Sequence, residues 1–316
     1  MEKIAAVVVT YNRKALLRDC VRHLLAQKGM SCDILLVDNA STDGTGAWAQ
    51  EIGKTEPRLR YRNTGANLGG AGGFCFGVRW AVEAGYAYVW LMDDDTLPQP
   101  EALARLWAAH VQLKGAYGWL SSRCLWTDGT LCPMNVQRVT PYRDLTGTDR
   151  TLAPVQMSSF VSLFLRAEVI ERYGLPLRQF FIWTDDWEYT RRISRQLPCY
   201  AVQDSCVVHA MKSRTVANIA TDVPERLGRY RYFYRNDVYL YRREGAKGWL
   251  WLLAKDLWHS MQVLRRGGRR WEKWKIIWGG LGRGVGFRPQ IEFCRRPAVR
   301  HDPAGGAQKD ERPWRG

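Results

Sequence analysis

Three apolar, β-branched-rich runs near the start of the chain each end in polar punctuation. Ile4 to Val9 precedes Thr10-Tyr11-Asn12, Asp33 to Val37 precedes Asp38-Asn39-Ala40-Ser41, and Tyr86 to Met92 precedes Asp93-Asp94-Asp95. Short, continuous apolar runs of this kind are the pattern of parallel strands buried on both faces. Between the first two runs Leu16, Leu17, Cys20, Val21, Leu24 and Leu25 recur at helical spacing, and Phe74 to Ala84 carries a second helix-length pattern. Strand, helix, strand, helix, strand predicts an α/β fold with a mostly parallel, Rossmann-like sheet flanked by helices. In such sheets ligands sit beyond the carboxyl ends of the strands, where the polar clusters fall.

Composition changes this picture in the last third of the chain. The formal charge is +16, and between Arg226 and Arg300 there are nineteen Lys and Arg against five acids. The rest is close to neutral. The expected organisation is therefore a catalytic α/β domain over residues 1–224, a basic, aromatic-rich helical region over 225–300, and a disordered tail over 301–316. Eight cysteines without a CxxC pair, in a chain long enough to bury a full core, predict reduced thiols rather than a disulfide framework. No apolar run reaches the roughly 18 residues of a spanning helix, and the start of the chain lacks a signal-peptide pattern. A cytoplasmic protein is expected.

Asp93-Asp94-Asp95 is the sharpest chemical signal. Adjacent carboxylates repel one another unless a cation or several donors hold them, and on a two-residue period Asp93 and Asp95 point to the same side. The motif reads as a divalent-metal site or, more simply, as an acidic turn or helix cap. Asp38 reads as an acceptor for a nucleobase or ribose, or as a cap. The glycine-rich stretch Asn67 to Gly73 reads as a loop whose backbone approaches an anion, or as an ordinary turn. It does not fit the dinucleotide fingerprint, because Cys75 takes the third glycine position and Asp38 lies upstream. Farther on, Trp183-Thr184-Asp185-Asp186-Trp187-Glu188 sets acids among aromatic rings, which suits a sugar and a general base, or a capped helix on a core. His209 alone is more often a satisfied core residue than a ligand.

Taken together, these segments resemble the inverting glycosyltransferase family 2 of the GT-A fold, and within it the galactofuranosyltransferase-like branch. The resemblance runs from about Ile4 to Lys212. It implies that Thr10, Tyr11 and Arg13 lie at the nucleotide, that Asp38 holds the base, and that Asn67, Gly69, Gly70, Asp93 and Asp94 support the donor. It further implies that Asp93, Asp95 and His209 bind Mn2+ or Mg2+, that Asp186 is the base with Asp185 and Glu188 as the next candidates, and that Trp183 and Trp187 contact the acceptor. The implied partners are a nucleotide-sugar donor, most simply UDP-galactofuranose, and a glycan or polyprenyl-diphosphate-linked acceptor in cell-envelope synthesis. A dTDP-rhamnose-dependent enzyme is the alternative within the family.

The basic segment adds a membrane partner. Leu250, Leu253, Leu257, Met261 and Leu264 share one helical face, and Lys255, Arg265 and Arg266 are expected to meet lipid headgroups on the inner face of the cell membrane. The alternative is a helix packed on the catalytic domain or on a second copy in a homo-oligomer. A non-catalytic nucleic-acid or anionic-surface binder is the competing class. It is disfavoured because the clustered carboxylates would repel a phosphate backbone, so no nucleic-acid partner is expected.

Overall fold

The computed structural model describes residues 3–211, 217–266 and 268–297. The elements run β1 (Ile4–Thr10), α1 (Lys14–Leu25), β2 (Asp33–Asp38), α2 (Thr45–Gly53), β3 (Leu59–Asn63), α3 (Gly69–Glu83), β4 (Tyr88–Asp93), β5 (Thr96–Pro98) and α4 (Ala102–Gln112). They continue with β6 (Leu120–Leu125), β7 (Arg138–Thr140), β8 (Arg143–Asp144), β9 (Leu152–Pro154), β10 (Leu163–Arg166), α5 (Ala167–Tyr173), α6 (Asp185–Ser194) and β11 (Tyr200–His209). Three helices close the described chain: α7 (Leu227–Tyr241), α8 (Gly245–Arg266) and α9 (Arg270–Gly286). The expected disordered tail lies outside the described residues.

One sheet carries the order β3-β2-β1-β4-β10-β6-β11-β5, with β9 on β11. Strands β1 to β4 are parallel, and β10 is antiparallel between β4 and β6. The alternation along β1 divides two cores: Ala5, Val7 and Val9 face one helical layer, and Ile4, Ala6 and Val8 face the other. Strand β1 is thus buried on both faces, as its unbroken apolar run predicts.

The glycine-rich stretch departs from the expected loop, because helix α3 begins at Gly69. A Cβ at Gly73 would stand 2.5 Å from Val9 Cγ1 and one at Gly77 2.4 Å from Val7 Cγ1. Gly73, at the end of the stretch, and Gly77, one turn beyond it, therefore serve close packing of helix on sheet.

The C-terminal helices form their own layer. Gly280 and Gly284 of α9 let it approach α7, where added Cβ atoms would stand 2.4 Å from Tyr234 Cβ and 2.5 Å from Val238 Cβ. Helix α8 is inverted relative to an ordinary surface helix. It buries Gly248, Leu252, Asp256, Ser260 and Val263, while Leu250, Leu253, Leu257, Met261 and Leu264 are exposed. All five residues of the predicted apolar face therefore look outward. Lys255 does not: it pairs with Asp237 and Asp256 in the interior, because an ammonium on the buried side of α8 needs those carboxylates. It is removed from the headgroup-facing set.

Candidate functional site

The carboxylates at the end of β4 meet the ends of β1 and β11. Asp93 closes β4, and Asp94 and Asp95 form the turn into β5, so a turn rather than strand pleating brings Asp93 and Asp95 together. β5 pairs with β11 so that His209 lies opposite Thr96, which delivers the imidazole to the acidic turn. His209 Nε2 lies 3.0 Å from Asp95 Oδ1, and Nδ1 lies 2.8 Å from Asn135 Oδ1. The ligand atoms of Asp93, Asp95 and His209 all fall within 4.8 Å of one another.

Charge is out of balance here. Burial and the Asp95 charge push Asp93 up to about 7, and the same two causes push Asp94 up to about 6. Asp95 stays below the ordinary range despite its burial, because His209 and Arg13 hold it ionised. Burial opposes the charge on His209, yet Asp95 raises it to about 10. Two cationic side chains thus face three carboxylates, of which Asp95 is held ionised while Asp93 and Asp94 resist ionisation. Two carboxylates and an imidazole with converging ligand atoms are a donor set that suits a hard divalent cation.

The residues expected at the nucleotide prove partly committed to protein partners. Thr10 donates its hydroxyl to Asp94 at 2.7 Å, and the Arg13 guanidinium donates to Asp95 at 2.8 Å and to Asp94 at 3.4 Å. Asp38 is fully buried, accepting from the Ser41 N–H at 2.8 Å and the Tyr61 hydroxyl at 2.8 Å. Asn67 accepts from the Gly69 N–H at 2.9 Å. Tyr11 is exposed, and a Cβ added at Gly70 would meet open space.

Helix α6 carries the second acidic group in its first turn. Burial and the Asp185 charge hold Asp186 well above the ordinary carboxylate range, and Asp93 adds to the effect. Burial, with Glu188 nearby, pushes Asp185 up to about 6. Glu188 is buried in an ion pair with Arg192 at 2.9 Å. Trp183 packs edge-on to Tyr230 with ring centroids 5.0 Å apart. Trp187 is covered by the Arg138 guanidinium at 3.6 Å, so this ring already has a partner on one face.

Residues 5–123, from β1 into β6, match the family model described as glycosyl transferase family 2. The chain carries a family 2 glycosyl transferase domain. It is similar to the galactofuranosyltransferase GlfT1 of Mycobacterium tuberculosis, 29% identical over 85% of this chain and 96% of that protein. The corresponding protein of Mycolicibacterium smegmatis is 27% identical over 85% of this chain and 97% of its own length. Among solved structures, the mannosyltransferase PcManGT from Pyrobaculum calidifontis, in complex with GDP-Man and Mn2+, aligns with a TM-score of 0.54. It is 16% identical, over 90% of this chain and 73% of that one. The chain therefore has the expected GT-A fold.

Several residues of the candidate site carried no readable signal in the sequence. Asn135 and Cys132 stand beside His209, and the Trp126 ring stacks over its imidazole with centroids 6.1 Å apart. All three belong to the stretch between Ser121 and Ser159, where periodicity is weak because the segment consists of short strands and turns. Tyr61 and Asn63, which meet Asp38, come from the edge strand β3, whose alternating charges hide it.

Proposed function

We propose that the chain is an inverting, metal-dependent galactofuranosyltransferase that uses UDP-galactofuranose to extend a lipid-linked or polysaccharide acceptor in cell-envelope synthesis. The observation that carries this reading is the convergence of the Asp93, Asp95 and His209 ligand atoms at the end of β4, with a second acidic group, Asp185 and Asp186, in the first turn of α6. Near-complete coverage of two galactofuranosyltransferases supports the choice of sugar.

In this reading Asp186 accepts the proton of an acceptor hydroxyl while that oxygen bonds to the anomeric carbon from the face opposite the nucleotide. The bond from the anomeric carbon to the diphosphate oxygen breaks, and its electron pair leaves with UDP. A raised pKa makes Asp186 a stronger base than an ordinary carboxylate, provided the pH keeps it ionised. A divalent cation held by Asp93, Asp95 and His209 would neutralise charge on the leaving diphosphate as a Lewis acid. Asp38 and Arg13 border the nucleotide, and Asp185 tunes Asp186 by its charge. Trp183, beside the acidic turn of α6, borders the acceptor.

The exposed apolar face of α8, continued by Trp271 at 74% exposure and flanked by Arg265 and Arg266, would rest on a membrane surface carrying the acceptor. Among the described residues no helix is long and apolar enough to cross a membrane.

The test is UDP release from UDP-galactofuranose with a membrane lipid extract as acceptor, with Mn2+, with chelator, and in Asp95→Asn. Metal-dependent release that Asp95→Asn abolishes is expected. Release from dTDP-rhamnose alone would keep the fold and overturn the donor.

A further inference from the structure

The segment that leads into α6 is strained. Phe181, Trp183 and Thr184 have φ of 64°, 64° and 68°, a region that side-chain-bearing residues seldom occupy. Such a conformation persists only where its surroundings over-determine it. Those surroundings come from α7. The buried Asn236 donates its Nδ2 to the carbonyls of Phe180 at 3.0 Å, Ile182 at 3.2 Å and Trp183 at 2.9 Å. Arg235 donates to the Gln179 carbonyl at 2.6 Å and to Asn236 Oδ1 at 2.8 Å, which orients the amide. Next in sequence, Asp237 accepts the Thr184 hydroxyl at 2.7 Å, and its other oxygen pairs with Lys255 of α8.

The opposite side of the segment is closed by the first turn of α3. The Ala71 N–H donates to the Phe181 carbonyl at 3.1 Å, and a Cβ on Gly69 would stand 2.1 Å from that same oxygen. The body of α6 is tied down as well, because Arg191 and Arg195 both pair with Glu244 at the junction of α7 and α8. Helix α6 is therefore gripped before its first residue and along its last turn by the helices that follow the sheet domain.

We infer that Asn236, Asp237 and Thr184 are positioning residues of the transfer reaction, holding the strained turn that sets Asp186 in the first turn of α6. This rests on the reading of Asp186 as the base. The C-terminal helices then belong to the active site and not only to a membrane-facing layer. The chemistry singles out asparagine at position 236, since an aspartate of the same shape would set a carboxylate against three carbonyl oxygens.

The experiment compares Asn236→Asp, Thr184→Val and Thr184→Ser in the full chain, using UDP-galactofuranose turnover, UDP binding with Mn2+, and amide hydrogen exchange. Asn236→Asp should lower kcat by roughly a hundredfold, the scale of an ångström-size misplacement of a reacting group. UDP affinity should stay within about twofold, because the nucleotide side of the site is untouched. Exchange should accelerate in residues 69–72 and 180–188 and stay unchanged in β1 and β4. Thr184→Val should act in the same direction, and Thr184→Ser, which keeps the hydroxyl, should restore kcat.

Parental kcat and parental exchange in both Asn236→Asp and Thr184→Val would overturn the inference. So would a loss of UDP affinity together with faster exchange across the whole sheet, which would make these residues supports of the fold in general. Asp186→Asn separates the two readings: parental turnover there sinks the base assignment, while the exchange results still judge the clamp.

Discussion

At the scale of single residues the site is governed by an excess of buried negative charge. Asp93 at about 7 and Asp94 at about 6 retain protons in the folded chain that the unfolded chain releases near its ordinary value of about 4. For raised carboxylates the sign is fixed: their contribution is present below the unfolded pKa and is lost as pH rises through the folded value. Metal-free protein should lose stability as pH rises from about 4 to about 7 on this account. Mn2+ should reverse the loss, and its thermal shift should be larger near about pH 8 than near about pH 5.5, because its ligands must be deprotonated. Thermal melts with and without Mn2+ check both, and Asp95→Asn and His209→Ala should each remove the metal-dependent shift. The raised Asp186 leads to a further expectation: the acidic limb of the kcat/KM profile should lie well above the ordinary carboxylate range of about 4, and Asp185→Asn should move it down by removing a neighbouring charge. A limb that stays in place in Asp185→Asn would argue that another group titrates.

At the scale of elements, close approach explains what composition alone obscures. The stretch Asn67 to Gly73 reads from the sequence as a loop near an anion, yet Gly73, together with Gly77 farther along α3, lets the helix sit on Val9 and Val7. Gly77→Ala should destabilise the fold by about 1–3 kcal/mol through overpacking, measurable by denaturant unfolding. Gly284→Ala should do the same at the contact between α7 and α9, where the added Cβ also meets the Arg235 carbonyl at 2.8 Å. By contrast Gly70→Ala should leave stability nearly unchanged, since its Cβ meets open space. The long apolar strands β1, β2 and β4 and the helices α1 and α3 were legible because a single period governs each. β3 was not, because its charged residues Arg60 and Arg62 lie over the Trp80 ring and mask the strand pattern. The short strands of the 121–159 stretch were not legible either, as three-residue strands have too few positions to show alternation.

For the molecule as a whole, the inverted amphipathicity of α8 is the feature with a physical consequence at long range. Its exposed face includes Leu250 at 69%, and Arg265 and Arg266 extend from its end. Leu257→Glu with Trp258→Glu should abolish co-sedimentation with anionic phospholipid vesicles while leaving UDP release from a soluble acceptor analogue intact. Vesicle binding that survives this change would assign membrane contact to another surface. Binding to anionic but not neutral vesicles, weakened by salt, is expected from the basic residues around the face.

The sequence by itself determined the parallel sheet, the acidic strand end at Asp93 to Asp95 and the family likeness, because each depends on neighbours along the chain: periodicity, adjacent carboxylates, short motifs. Tertiary structure alone decided which partners meet across long separations. His209 reaches Asp95 only because β11 pairs with β5, and Thr10 and Arg13 turn to the acidic triad only because β1 and β4 are adjacent. Lys255 leaves the apolar surface for the interior only because Asp237 waits there, and the strained turn before Asp186 is held only because α7 folds back onto it. Hydrogen bonds and ion pairs of this kind join groups on one side of a packed element to groups far away in sequence, and local pattern carries no trace of them.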